Sequence, residues 1–567
     1  MRSLRFSLLP LLAVALFPTW GPSQETGATG ASTPSKLNPA PAATRPAESF
    51  DEVIGRVLER EHAFNQLIRQ FHPLIETYIQ TLKNDDERGP LPVSDQYFLG
   101  RLELDGGSQE ERYGQRPRRS LSSVFNLAPK LSELYSTRFH AGGFAQMVLL
   151  DQDFERKYYT FTYVRREFLG EIRCFVIDVA PRKEAGDGRF VGRIWVEDQD
   201  YNVVRFNGTY SSHSYQHPYL HFDSWRLNVR ASLWLPAYVY SEESGTPSHF
   251  KAQTRLWGYE SPIAANDSFT EIVVDSPQTV RDQSGAAQDA TPVESERLWE
   301  REAEDNTIER LQRAGMMAPD GDVDQVMQTV VNNLIFSNNL TIQPEVRTRV
   351  LLTTPLESFT IGHTIVLSRG LVDVLPDEGS LAMVLAHELA HIALGHALDT
   401  KFAFNDRMFF PDPQTFERLD FARDSAEEEA ADQKALELLS NSPYKDKLGN
   451  AGLFLRELQA HASELRNLIL PHLGSSLANG KAIRMSAVLN AAPPLEARKT
   501  DQIAALPLGA RIRLDPWSGR VELVKSKPVA LTTSREKMPF EITPFFPYLT
   551  RLSSSSADRV AQTAPVQ

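Results

Sequence analysis

The sequence predicts an α+β multidomain protein, with an N-terminal antiparallel β domain followed by a mainly helical domain. Three observations carry this. Residues 139–259 hold short runs of β-branched and aromatic residues, broken by turn signals such as Asp187-Gly188 and Asn207-Gly208, with no clear helical pattern between them. Helical periodicity follows in Ser295–Ala314, Val323–Phe336 and Leu381–His396. Residues 21–48 and 261–292 lack large apolar groups, so they cannot bury enough surface to offset ordering and read as linkers.

In chain order, Arg2 and Arg5 precede the apolar run Leu8–Phe17. A basic start before so short a run reads as a secretory signal peptide, assigned to residues 1–20, with a retained signal anchor as the alternative. No cysteine follows the run, which excludes a lipid-modified bacterial N-terminus. Cys174 is the only cysteine, so no intramolecular disulfide forms and packing alone must hold the chain. That suits a periplasmic protein better than a small extracellular one, and the expected location is exported, periplasmic or secreted. The net charge of −13 argues against general nucleic-acid binding and against a polybasic anchor. The basic stretch Arg112–Arg119 reads as a solvated loop. No other run reaches 18 apolar residues, so no transmembrane span is expected in the mature chain.

The first folded part spans 50–260. Val53, Ile54, Val57, Leu58, Phe64, Leu67, Ile68 and Phe71 fit a 3.6-residue period, and Leu74–Leu82 reads as resuming it after His72-Pro73, giving a helical hairpin or kinked helix. Strands are expected at Tyr158–Val164, Arg173–Val179, Gly192–Glu197, Val203–Tyr210, Ser224–Ala231, Ala237–Ser241 and Phe250–Tyr259. Seven strands without intervening helices imply an antiparallel sheet, curved or partly closed. His213, His217 and His221 recur every four residues, but Pro218 breaks a helix there and no local carboxylate completes a site. They read as polar residues of a strand connection.

The second part spans 293–507. After its two helices, Arg347–Thr353 and Thr364–Ser368 read as strands, and Gly370–Leu375 turns into Leu381–His396. Helix, strand, strand, HExxH helix is the order of a zincin catalytic domain. His387 and His391, four apart, share a helix face and can bind one Zn²⁺, while Glu388 sits where it can take a proton from water at the metal. His396 lies nine residues after His387, and Leu394 and Ala397 occupy the positions where a metzincin carries Gly and His, so that pattern is rejected. His396 is also about 140° around an ideal helix from His391, and it reads as a polar contact at the helix end. The third ligand is expected in Ser425–Gln433, a strongly helical segment in which Glu428 and Asp432 share a face. Glu428 completes a His₂Glu set with a fourth position open, and Asp432 is placed to orient an imidazole. Glu427 and Glu429 read as a solvated face. The expected cofactor is one Zn²⁺ per chain.

Residues 401–421 carry six phenylalanines and two prolines. A lid over the cleft and packing against the β domain both remain open. Residues 508–552 read as a β-hairpin extension turning at Pro516–Gly519, and the Ser-rich 553–567 as a disordered tail.

HELAHIALGH followed by EEAAD resembles metallopeptidase family 48, the gluzincins that include HtpX-like and CAAX-prenyl-protease-like enzymes. SFTIGHTIVLSRGLV and APPLEARKTDQIAAL are similar to that family as well, so the resemblance covers Val323–Leu506. It implies zinc on His387, His391 and Glu428, Glu388 as base, and an edge strand near Thr364–Ser368 that holds substrate backbone. His363 stands where the family usually has a small residue. Ala492 stands before the Pro pair where the family often has a histidine near the metal; His472 is a candidate substitute, and Arg498 is retained. CFVIDVAP, GRFVGRIWVEDQDYNVVRFNGTY and WLPAYVY loosely resemble the half-barrel of lipoprotein-sorting and outer-membrane lipoprotein carriers, which implies a concave face for an acyl chain or apolar peptide. The alternative is a sheet that only docks on the next domain.

The resulting expectation is an exported zinc metalloendopeptidase acting on protein or peptide substrates. The competing expectation is a zinc-stabilised, non-catalytic chaperone or assembly factor for outer-membrane or lipidated clients.

Overall fold

The computed structural model describes residues 47–552, apart from 48, 87–88, 104–108, 113–146, 151–152, 187, 212–219, 246–247, 260–291, 397–420, 471–472, 476, 480–481, 510 and 525–529. The expected signal, nearly all of both linkers, the Ser-rich tail, His213, His217, His472 and nearly all of the Phe-rich stretch lie outside the described residues.

Helix α1 (Phe50–Leu67) starts where Ser49 accepts a hydrogen bond from the Glu52 N–H, and its apolar stripe Val53, Ile54, Val57 and Phe64 is buried. The helical reading of Leu74–Leu82 is corrected: this is strand β1 (Leu74–Asp85). Leu74 and Tyr78, like Ile75 and Ile79, lie four apart and so satisfy a helical and a two-residue period alike. Both faces of the strand are buried, which removes the alternation that separates the two readings.

β1 belongs to a ten-stranded sheet with β2 (Gly89–Glu103), β3 (Gln109–Arg112), β4 (Tyr159–Leu169), β5 (Ile172–Pro181), β6 (Phe190–Glu197), β7 (Val203–Tyr210), β8 (Phe222–Arg230), β9 (Leu233–Gly245) and β10 (Ser248–Trp257), in the order β3-β2-β1-β10-β9-β8-β7-β6-β5-β4. Strands β4 to β10 form an antiparallel meander, matching the seven strands expected, and β1 pairs with β10 to bring β2 and β3 into the sheet. β3 and β4 stand at opposite ends of the order, so the sheet is open. One face, with Ile79, Phe190, Phe206, Phe222 and Leu256, packs with α1. Here Arg226 of β8 and Glu61 of α1 form a buried ion pair of 2.6 Å.

The other face joins the core of the C-terminal lobe. That lobe runs through α2 (Pro292–Arg313), α3 (Asp322–Ser337), β11 (Arg347–Leu351), β12 (Ser358–Ile361), β13 (Thr364–Ser368), α4 (Arg369–Val374), α5 (Glu378–Ala393), α6 (Ser425–Ser440) and α7 (Leu448–His461). The strand expected at 364–368 is present but is not an edge: the order is β11-β13-β12, with β13 between its neighbours. The edges are β11 and β12, and Ser358 of β12 also bridges to Ser475.

Much of the lobe–sheet contact is polar. Glu76 of β1 pairs with Arg369 at 2.6 Å, Asp95 of β2 accepts from the Asn467 and Leu468 N–H groups at 3.0 and 2.8 Å, and Lys251 of β10 pairs with Glu541 at 2.5 Å. The expected hairpin forms as two short strands, Ile512–Leu514 and Val521–Leu523. Beyond it, residues 540–552 cross the lobe-side face of the sheet. The Gln80 side chain donates to the Phe540 carbonyl and accepts from the Ile542 N–H. The Glu171 N–H donates to the Leu549 carbonyl, and Arg551 pairs with Glu197. Gly170 (φ +66°) permits this crossing, since a Cβ there would lie 2.5 Å from the Leu549 backbone.

Candidate metal centre

Helix α5 presents the site. Asp377 caps it, accepting from the Ser380 N–H at 2.8 Å, and every residue from Gly379 to His391 is buried, as suits a helix apolar on all sides. Its polar residues therefore need partners from neighbouring elements. Helix α6 supplies them, capped in turn by Asp424, which accepts from the Ala426 and Glu427 N–H groups.

His387 Nε2 lies 3.0 Å from Glu428 Oε2 and 3.3 Å from His391 Nε2, and His391 Nε2 lies 3.6 Å from the same Glu428 oxygen. Three donors thus face one point. These edges bracket the roughly 3.3 Å edge of a tetrahedron with metal–ligand bonds of about 2.0–2.1 Å. All three residues are buried, and two imidazoles with one carboxylate suit a borderline-soft divalent ion. The donor set fits zinc, with one tetrahedral position left over.

The surroundings fix these donors. His387 Nδ1 stands 3.0 Å from Asp432 Oδ1, and the other Asp432 oxygen accepts from the Met485 N–H at 2.8 Å. His391 Nδ1 and His396 Nδ1 are 2.8 Å apart, one ring donating to the other. His396 therefore stands behind a ligand, as a polar contact at the helix end. Burial works against a proton on His387, yet Asp432 and Glu428 outweigh it and push the imidazole up to about 10 in the metal-free protein. Burial also opposes ionisation of Glu428, but hydrogen bonds from His387 and His391 prevail and hold its carboxyl well below the usual range. Glu388 is buried on α5, close enough for its charge to act on His387.

Ala492 is buried against α7: a Cβ on Gly452 would lie 2.5 Å from its methyl group, and Arg456 donates to its carbonyl at 3.0 Å. Arg498 is exposed on the turn after Pro493-Pro494. Two site residues escaped the sequence reading. Arg484 Nε lies 3.2 Å from Glu428 Oε2, and the Ser475 side chain hydrogen-bonds Glu428. Neither stands at a helical spacing from the motif, so nothing short of the tertiary fold signals them.

With α3, α5 and the intervening strands in place, the comparison with known families is decisive for one segment. Residues 319–409 match Peptidase family M48. The matched segment contains His387, Glu388 and His391, and the match supports a metallopeptidase. Glu428, Asp432 and Arg484 lie beyond the matched residues. No curated protein matches the chain. Among solved structures, the chain is similar to an outer membrane lipoprotein-sorting protein domain from Vibrio parahaemolyticus (16% identity, 36% of this chain and 88% of that one, TM-score 0.21). It is also similar to a DUF1329 family protein from Desulfovibrio piger (11% identity, 40% of this chain and 98% of that one, TM-score 0.23).

Proposed function

We propose that the protein is an exported zinc-dependent metalloendopeptidase that hydrolyses peptide bonds in protein substrates of the cell envelope. The observation that carries this reading is the convergence of His387, His391 and Glu428 on one point, with Glu388 on the turn of α5 that bears the first ligand. Bound there, zinc polarises a scissile carbonyl and acidifies water. Glu388 accepts the proton of the attacking water as the C–O bond forms, then delivers it to the leaving amine as the C–N bond breaks. Asp432 selects the His387 tautomer that leaves Nε2 free to ligate, and His396 does the same for His391 through its Nδ1. Among the described residues, the candidate edge for substrate backbone is the part of β12 beyond the Ser358–Ser475 bridge, and β12 packs next to α5.

The chaperone reading needs a sheet face open to a client. Here α1 packs on one face, and the C-terminal lobe with residues 540–552 covers part of the other, beside an open groove lined by Asp178, Arg193, Asn207, Thr209 and His221. The peptidase reading is preferred because the gathered His387, His391 and Glu428 side chains offer chemistry that a client-binding sheet does not need. Casein cleavage by the zinc-loaded full chain tests it, with Glu388→Gln as the decisive variant. Loss of cleavage with zinc retained is expected; a Glu388→Gln protein that cleaves like the parent overturns the reading.

A further inference from the structure

Arg484 follows the short hairpin of β14 (Ala478–Asn479) and β15 (Ala482–Ile483), and its N–H donates to the Leu477 carbonyl at 3.0 Å. The next residue, Met485, sits at φ +56°, a left-handed conformation that disfavours a side chain with a Cβ. Such a turn persists where its surroundings hold it. What holds it is Asp432, which takes the Met485 N–H on one oxygen and faces His387 with the other. Glu428, one helical turn before Asp432, meets the Arg484 guanidinium. Two carboxylates on one face of α6 therefore grip the backbone and the side chain of a single dipeptide.

Glu428 is fully buried, and its Oε1 has no hydrogen-bond partner. Its placement rests on Oε2, which faces both imidazoles and Arg484, and on Ser475. The site gathers three carboxylates, Glu388, Glu428 and Asp432. Among the described residues Arg484 is the one guanidinium in contact with any of them. Its side chain is 26% exposed, so it reaches a buried ligand from the solvent margin.

We propose that Arg484 is a positioning residue of this metal site, fixing the rotamer of Glu428 and drawing negative charge from it through Oε2. A guanidinium does not exchange its proton at working pH, so its action is geometric and electrostatic. A ligand carboxylate relieved of charge donates less to the metal, which leaves the metal a stronger electrophile toward the carbonyl. The effect on turnover rests on the peptidase reading, whereas the effect on ligand geometry does not.

The full chain loaded with Co²⁺ in place of zinc gives both readouts. In Arg484→Gln the visible d–d bands shift, because Glu428 moves, and in Arg484→Lys they return toward the parent position. With zinc, Arg484→Gln lowers kcat about ten- to hundredfold with KM little changed, and Arg484→Lys recovers part of that loss. Bands in Arg484→Gln identical to those of the parent overturn the proposal, whatever the activity. A parent protein that binds Co²⁺ but cleaves nothing counts against the peptidase reading, and the band shift then decides Arg484 alone.

Discussion

Glu76 of β1 and Arg369 at the start of α4 form an ion pair of 2.6 Å in which neither side chain is more than 2% exposed. The carboxylate also accepts from the Thr354 N–H at 2.6 Å, the Thr354 hydroxyl at 2.8 Å and the Tyr97 hydroxyl at 3.0 Å. The pair thus ties the large sheet to the short helix that leads into the metal-site helix. Removing one partner of a buried pair leaves the other charge stranded, at a cost of about 3–5 kcal/mol. Glu76→Ala is expected to lose stability on that scale in urea unfolding, and Glu76→Gln with Arg369→Met to recover part of it. A single variant within 1 kcal/mol of the parent, taken as about the scale of an exposed pair, would show that the contact does not join the lobes.

Asp432 serves His387 and the Met485 turn at once. Asp432→Ala is expected to weaken zinc binding about ten- to hundredfold, read by competition with a chromogenic chelator. An unchanged affinity would mean that His387 keeps its tautomer without this carboxylate.

His387 carries a proton in the metal-free protein, pushed up to about 10 with Asp432 and Glu428 as its partners. A ligating imidazole must be neutral, so zinc uptake near pH 7.5, taken as about physiological, displaces that proton. Apparent affinity is expected to rise with pH toward the His387 value and to fall in acid. Calorimetry in buffers of different ionisation enthalpy checks this, and no net proton release would contradict it.

Asp324 accepts from the Gly321 N–H at 2.9 Å at the start of α3, yet burial pushes its carboxyl up to about 6 from 3.8. Because the folded value exceeds the unfolded one, the native state binds the extra proton between those values. Its stabilising contribution is complete below about pH 4 and lost as pH rises through about 6, a swing of about 2–3 kcal/mol. Asp324→Asn removes the swing, so its stability relative to the parent improves by that amount from the acid to the neutral side. Parallel pH profiles for the two proteins would count against it.

Cys174 is buried, and burial, with Glu197, Asp198 and Glu167 adding to it, pushes its thiol up to about 12. At pH 8 only about one part in ten thousand is thiolate. The folded protein is expected to resist thiol reagents that label one site after unfolding. Rapid labelling of the native chain would be inconsistent with this burial.

The helix of the candidate metal site was legible because its information is local. His387, Glu388 and His391 share one helix, and the four-residue spacing of Glu428 and Asp432 is likewise fixed by helix geometry. The seven-strand meander was legible from its apolar runs and from turn residues such as Asp198 and Asp200, but Asn207-Gly208, expected as a turn signal, lies inside β7 and pairs with Arg193 and Gly192 of β6. β1 was not, because burial on both faces erased the alternation that marks a strand, and only pairing with β10 and β2 settles its conformation. β12 was too short to signal itself, and the central place of β13 follows from which strands pair, which no single segment encodes. Arg484 and Ser475 reach Glu428 only after some fifty residues of chain have folded back over α6. The sequence by itself determined the candidate ligands and the helices that carry them, since backbone periodicity sets those positions. Tertiary structure decided what holds each ligand in place and what covers each face of the sheet, because those contacts join residues that the chain keeps far apart.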